Sequence, residues 1–167
     1  MDASTLRELQ APLKLRYRED AASALIPLHA AGTFEAQGIT ASIDTWAGTV
    51  RAGLHSATGG DGEDACSGDM LLQAVLGCAG VTLRSVATAM GIEIRSGSLS
   101  AEGSFDARGT LGISREVPVG VQGIRVVAEL DTDAPDETLD KLAQMTERYC
   151  VVAQSLAQAP EFTVVRV

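Results

Sequence analysis

The stretch of sequence that decides the fold is SGDMLLQAVLGCAGVTLRSVATAMG, residues 67–91. Ser67 is a suitable N-cap, Asp69 lies where the helix dipole favours a negative charge, and Gly91 is a suitable C-terminal stop. Between these ends apolar residues cover nearly the whole circumference, which is typical of a helix buried on most sides. We therefore predict a long core helix with Cys78 near its middle.

A second core helix is predicted towards the C-terminus. It begins after Asp131, with Pro135 in its first turn, and it ends before Pro160. Its apolar stripe comprises Leu139, Leu142, Ala143, Thr146, Tyr149, Cys150, Ala153 and Leu156. Cys150 is therefore expected to face the core from the middle of this helix.

Alternation of apolar and polar residues predicts strands around both helices. From Leu25 to about Leu54 the pattern, broken by glycines, predicts a meander of about three antiparallel strands. Further strands are predicted over residues 98–106, 110–115 and 124–130, with a closing strand at the C-terminus. Strands, buried helix, strands, buried helix and strand together predict an α+β fold.

Length and composition indicate one globular domain. The chain has 167 residues, of which 46% are hydrophobic and 21% charged, and this leaves little room for a second core. We predict that residues 1–22 form a helical lead-in or arm. Residues 23–167 are predicted to form the single domain.

Charge and the N-terminal sequence bear on partners and location. A net charge of −9 would repel a phosphate backbone, so nucleic acid is not expected as a partner. The N-terminus lacks the basic start and apolar run of a signal peptide, and no stretch reaches the ~18 to 20 apolar residues of a membrane span. The acidic glycine-rich loop over residues 56–66 lacks calcium-loop and phosphate-loop spacing. We predict a cytoplasmic protein with no membrane partner and no metal.

The three cysteines suggest two different interpretations. An odd number of cysteines without an export signal favours reduced thiols over a structural disulfide framework. Cys78 and Cys150 each lie on the buried side of a predicted core helix, and packed helices can bring such side chains to disulfide distance. They are either a redox pair or two small core hydrophobes. Cys66 is expected to be a loop cysteine, and the alternative is a reactive thiol near the N-terminus of a helix.

Two motifs resemble the OsmC/Ohr family of osmotically inducible and organic hydroperoxide resistance proteins. The first runs from GDMLL (68–72) to GC (77–78), and the second is ERYCVV (147–152) followed by a closing strand. The resemblance spans about residues 25–167 and is closer to the broad OsmC-like branch. It implies an antiparallel sheet wrapped around two buried central helices in an intertwined homodimer.

The resemblance also implies a redox activity. Cys78 would attack the O–O bond of an organic hydroperoxide or hydrogen peroxide and become a sulfenic acid, which Cys150 would resolve as a disulfide. A dithiol reductant would restore both thiols, without a metal or organic cofactor, and the protein would act as an antioxidant in a stress response. The alternative is a noncatalytic OsmC-like module that binds a small apolar or electrophilic ligand at the dimer interface.

Three positions depart from the family's pattern. Asp69 stands where the family commonly has glutamate, and it is either a supporting carboxylate or a first-turn acid that suits the helix dipole. The peroxidase branch uses a hairpin arginine to hold the thiolate, but this chain has no arginine between Arg18 and Arg51. We take Arg51 as the candidate activating cation, with Arg16 and Arg18 as further candidates; the alternative is that each is a solvated charge. Val151 replaces the proline that usually follows the second cysteine.

Overall fold

The computed structural model describes residues 1–34 and 36–167, which form two compact units. The first unit comprises Met1–Leu28, Val75–Ala101 and Arg125–Val167, and the second comprises His29–Ala74 and Glu102–Ile124. Helices and sheets together confirm the predicted α+β class. The single domain over residues 23–167 stays a prediction.

The second unit contains a four-stranded sheet that confirms the predicted meander. Its strands are β1 (Gly32–Phe34), β2 (Thr40–Thr45), β3 (Gly48–Gly53) and β4 (Ala65–Cys66), in that order across the sheet. The β1–β2 and β2–β3 pairs are antiparallel, whereas β4 lies parallel to β3. Gly48 follows the two-residue turn between β2 and β3 with a φ of 124°, a value that glycine adopts without strain.

The long predicted helix is present and begins directly after β4. This helix, α2 (Ser67–Met90), has 24 residues, and its buried side chains recur every fourth residue. They are Val75, Ala79, Leu83 and Ala87. The prediction of burial on most sides is wrong for the single chain, because α2 buries one stripe and Val81 on another side is 74% exposed.

The other sheet consists of β5 (Ser96–Ser104), β6 (Gln122–Asp131) and β7 (Glu161–Arg166), in that order. Along β6, buried residues alternate with exposed or half-buried ones, as expected for a strand with one face on the core. β6 and β7 are parallel, so the sheet is not antiparallel throughout as predicted. The chain between them is helical, and parallel neighbours need such a crossover connection.

The second predicted core helix is present but broken. It consists of α4 (Asp136–Tyr149) and a short helix α5 (Val151–Gln154), with Cys150 extended between them at φ −75° and ψ 102°. The residues that follow Cys150 are two β-branched valines, which have low helix propensity. Within α4 the Thr146 hydroxyl bonds to the Leu142 carbonyl, a contact that tends to bend helices.

The predicted strand over residues 110–115 is absent, and this prediction was wrong. The helix α3 (Ala107–Thr110) lies there instead, followed by a turn at Gly112 with a φ of 70°. Asp106 caps α3 because its carboxylate accepts the backbone N–H of Arg108 and pairs with the Arg108 guanidinium. This local capping outweighs the alternating pattern.

The N-terminal lead-in, predicted over residues 1–22, is helical. The helix α1 (Ala3–Glu19) begins after Asp2, whose carboxylate accepts the Thr5 N–H, and none of its residues is buried. One-turn 3-10 helices follow at Ala21–Ala24 and, in the second unit, at Ser56–Thr58. A role for α1 as an arm in a dimer stays a prediction.

Among the residues that the structure describes, one helix is long and apolar enough to cross a membrane, contrary to the expectation from sequence. The helix is α2, with a mean hydropathy of 1.5 over its most apolar window. This test considers only length and composition, and the core helices of water-soluble proteins also pass it, so a single such helix is weak evidence of a span.

Candidate functional site

The thiols of Cys78 and Cys150 lie together in one apolar cluster of the first unit. Its buried members are Val75, Ala79, Val126, Cys150 and Ala153. Cys150 is completely buried, whereas Cys78 is half-buried and packs against this cluster. The structure thus brings together the two cysteines that the sequence singled out, and both are free thiols.

The environment of Cys78 favours its thiolate. Burial raises the pKa of Cys78, but hydrogen bonds outweigh this effect and the net shift is downwards. The groups that lower the pKa are the backbone N–H of Val152, the Cys150 side chain, the Thr82 hydroxyl and the backbone N–H of Val151. All four are neutral, so these groups stabilise the thiolate through their dipoles.

The environment of Cys150 favours its protonated thiol. Burial raises the pKa of Cys150, and the neighbouring Cys78 raises it further through a hydrogen bond and charge repulsion. The two sulfurs therefore differ in kind: Cys78 is the better nucleophile, and Cys150 is a thiol that contacts it. A thiolate with an adjacent thiol is the arrangement that forms a disulfide after oxidation.

The break at Cys150 is what makes the two amide groups available to Cys78. In a continuous helix the N–H groups of Val151 and Val152 would bond to carbonyls four residues earlier. Because α5 begins anew at Val151, these N–H groups belong to its first turn and have no partner within the helix. Both N–H groups lower the pKa of Cys78, and the N–H of Val152 also acts to lower that of Cys150.

The side chain of Gln154 replaces one of the backbone hydrogen bonds that are lost at the break. The carbonyl of Glu147 would accept the N–H of Val151 in a continuous helix, and here it accepts the side-chain Nε2 of Gln154 at 3.0 Å. The backbone N–H of Gln154 donates to the carbonyl of Cys150 at 2.9 Å. Sequence reasoning missed both Gln154 and Thr82, although the four-residue spacing from Cys78 to Thr82 was a usable signal.

The two predicted supporting residues lie in the second unit. Arg51 on β3 forms an ion pair with Asp64, with Nε 3.2 Å from one carboxylate oxygen and Nη2 3.3 Å from the other. Asp69 is exposed in the first turn of α2. The roles of Arg51 and Asp69 at Cys78 stay predictions.

A separate cavity of about 300 Å³ lies within the second unit. Cys66 ends the short strand β4, so the prediction of a loop cysteine was wrong, and it lines the cavity together with Asp69, His55 and Phe105. The Nδ1 of His55 accepts the N–H of Ala57, so its other ring nitrogen carries the proton in the neutral form. In residues 1–34 and 36–167 no group of three or more His, Cys, Asp or Glu residues is placed to hold a metal ion.

A family model described as OsmC-like protein matches residues 60–165. The chain belongs to the OsmC-like family. This confirms the family that the two cysteine motifs indicated. The cytoplasmic location stays a prediction.

Solved structures of the OsmC-like family share the fold. The OsmC-like protein of Mycoplasma pneumoniae is 12% identical with a TM-score of 0.69, covering 85% of this chain and 98% of that one. An organic hydroperoxide resistance protein from Legionella pneumophila is 14% identical with a TM-score of 0.65, covering 85% and 98%. One from Elizabethkingia anophelis is 12% identical with a TM-score of 0.66, covering 85% and 96%. A search of curated proteins finds no match.

These likenesses establish the OsmC-like fold. They do not assign a reaction, because an OsmC-like protein of unknown function from Vibrio cholerae is also similar, with a TM-score of 0.65. The chemistry must therefore be argued from the side chains of this chain.

Proposed function

We propose that this protein is a thiol-dependent peroxide reductase in which Cys78 is the peroxidatic and Cys150 the resolving cysteine. One observation carries the proposal: two thiols in contact have pKa values displaced in opposite directions, downwards at Cys78 and upwards at Cys150. Pairs whose environments separate their pKa values are typical of groups with distinct chemical roles.

The reaction has three steps. The Cys78 thiolate attacks one oxygen of the peroxide, the O–O bond breaks, and the departing alkoxide or hydroxide takes a proton from solvent, which leaves Cys78 as a sulfenic acid. The Cys150 sulfur then attacks the sulfenic sulfur, so that a disulfide and water are formed. A dithiol reductant finally returns both cysteines to thiols and becomes a disulfide itself. No metal or organic cofactor takes part.

The preferred substrates are proposed to be organic hydroperoxides. Apolar side chains of the first unit surround the pair of sulfurs, and those that are only partly buried include Leu76, Ala101, Val152, Leu156 and Phe162. A hydrocarbon group on the peroxide would bury itself against such side chains, which contributes roughly 0.8 kcal/mol per methylene. Hydrogen peroxide gains nothing from this contact.

We expect the catalytic efficiency with cumene hydroperoxide to exceed that with hydrogen peroxide by about tenfold or more, because tenfold corresponds to burial of only about two methylene groups. The measurement is kcat/KM for both peroxides with a dithiol reductant. The Cys66→Ser variant, which removes the thiol outside the proposed site, is the matched control and should show the same ratio. Equal efficiencies would contradict an apolar substrate site.

We also propose that the functional form is a homodimer. In the first unit the helix α2 leaves Val81 74% exposed, and only 22% of its most apolar window is buried. In the second unit the large side chains of Phe34, Ile39 and Trp46 are mostly exposed to solvent. Monomeric soluble proteins rarely leave so many large apolar side chains exposed, so we infer that a second copy covers them.

The protein is expected to have a mass close to twice 17.3 kDa in solution. Multi-angle light scattering after size-exclusion chromatography, at micromolar protein concentration, measures this directly. A monomer mass under these conditions would contradict the dimer proposal and leave the exposed apolar residues of both units without an explanation.

A noncatalytic binding module is the second candidate function. The observation in its favour is that Arg51, the arginine expected to activate the thiol, already forms an ion pair with Asp64. Under this alternative the protein would bind small apolar or electrophilic molecules and reduce neither peroxide faster than a free thiol does. The peroxide assay described above separates the two functions.

A further inference from the structure

Thr82 stands out among the groups around Cys78 because it is the only one of the four on the same helix. It lies four residues after Cys78 on α2, and residues at this spacing are neighbours on one side of a helix. Helical side chains lean towards the N-terminus, so the Thr82 side chain leans over Cys78. Both residues are half-buried, and the Thr82 side chain is among the groups that lower the pKa of Cys78.

Other helical threonines use their hydroxyl groups differently. Thr88, also on α2, donates to the carbonyl of Arg84 at 2.8 Å, and Thr146 on α4 donates to the carbonyl of Leu142 at 2.7 Å. Such bonds to the carbonyl four residues earlier are the usual choice for a threonine inside a helix. Within the described part of the chain the Thr82 hydroxyl makes no bond of this kind. Its single proton is thus available to the sulfur.

We propose that Thr82 is a positioning residue for the attacking thiolate: its hydroxyl donates a hydrogen bond to Cys78 Sγ in addition to the amide groups of Val151 and Val152. A hydrogen bond to an anion is about twice as strong as one to a neutral acceptor, so this contact favours the thiolate over the thiol. Thr82 keeps its proton throughout the reaction. The proposal rests on the proposed role of Cys78 and names a residue that supports it.

The test compares Thr82→Val with Thr82→Ser. Valine keeps the branched shape and removes the hydroxyl, whereas serine keeps the hydroxyl. For Thr82→Val we expect the pH profile of Cys78 alkylation to shift to higher pH by about one pH unit. On the acid side of the profile, alkylation should be roughly tenfold slower. Thr82→Ser should stay within about twofold of the parent, because the donor is retained.

The measurement uses iodoacetamide and mass spectrometry of the peptide that contains Cys78. Trypsin cleaves after Arg51 and next after Arg84, so Cys66 and Cys78 share one peptide. All variants are therefore made in a Cys66→Ser background, where the signal belongs to Cys78 alone. Because the assay contains no peroxide, it tests Thr82 independently of whether the protein reduces peroxides.

Thr88→Val is the matched control, since it removes a hydroxyl from the same helix that bonds only to a backbone carbonyl. The proposal predicts that Thr88→Val leaves the alkylation profile in place. An unshifted profile in Thr82→Val would overturn it, and so would an equal shift in Thr88→Val, which would indicate a general effect on α2. If valine prevents folding, as circular dichroism would reveal, Thr82→Ala must give the same upward shift.

Discussion

Peroxide reduction is expected to fall by about a thousandfold or more when Cys78 is replaced by serine, because a serine hydroxyl is not ionised at neutral pH and a thiolate is the attacking group. The Cys150→Ser variant should behave differently: it should complete one turnover and stop, with sulfenic acid accumulated at Cys78. The measurement is single-turnover consumption of cumene hydroperoxide together with dimedone labelling of sulfenic acid.

The control for both variants is Cys66→Ser, which changes a thiol of the second unit that has no place in the proposed reaction. Cys66→Ser should retain full activity. Dimedone should not label Cys78 in this variant once the disulfide between Cys78 and Cys150 has formed. Equal dimedone labelling of Cys78→Ser and Cys150→Ser would show that the two cysteines have no separate roles and would contradict the assignment.

At neutral pH iodoacetamide is expected to modify Cys78 at least about tenfold faster than Cys150. Alkylation requires the thiolate, and the pKa is lowered at Cys78 and raised at Cys150. As pH rises, alkylation of Cys78 should therefore reach its plateau at a lower pH than that of an ordinary thiol, and alkylation of Cys150 at a higher pH. Complete burial of Cys150 slows its modification further.

The rates are obtained from the separate tryptic peptides that contain Cys78 and Cys150, in the Cys66→Ser background. Urea-unfolded protein is the internal control, because both cysteines should then react at similar rates with ordinary pKa values. If Cys78 in the folded protein titrates like an ordinary thiol, the peroxidase proposal loses its chemical basis and the binding module becomes the better explanation.

Much of the fold follows from residue periodicity. In α2 the buried stripe from Val75 to Ala87 repeats every fourth residue, and in β6 the buried residues alternate. Two helices that each carry one cysteine on the buried side allow Cys78 and Cys150 to approach each other, but the pattern alone left open whether they are a redox pair or two core hydrophobes. These features depend on which side chains are buried, and the spacing of apolar residues along the sequence predicts this.

The break at Cys150 could not be predicted in this way. The apolar stripe continues through Cys150 to Leu156 without interruption, so periodicity indicates one continuous helix. The break depends instead on local hydrogen bonds, such as the one from Gln154 to the Glu147 carbonyl. For the same reason the amide donors at Val151 and Val152 could not be singled out, since every residue except proline has such a group.

The parallel pairing of β6 with β7 was missed for a different reason. A strand, a helix and a strand in succession favour a parallel pair, and this order was present in the sequence. The alternation along each strand says which face is buried, but it does not give the direction of its neighbour. Chain connectivity was the better guide here than side-chain pattern.

The neutral groups around Cys78 have a consequence for the electrostatics of catalysis. Because the amide groups, the Cys150 side chain and the Thr82 hydroxyl carry no net charge, they leave the negative charge of the thiolate uncompensated. In a chain with a net charge of −9, a hydroperoxide that carries its own carboxylate would approach against this field, whereas an uncharged alkyl hydroperoxide would not. Uncharged hydroperoxides are therefore the better match, and added salt should mainly help the anionic ones by screening the repulsion.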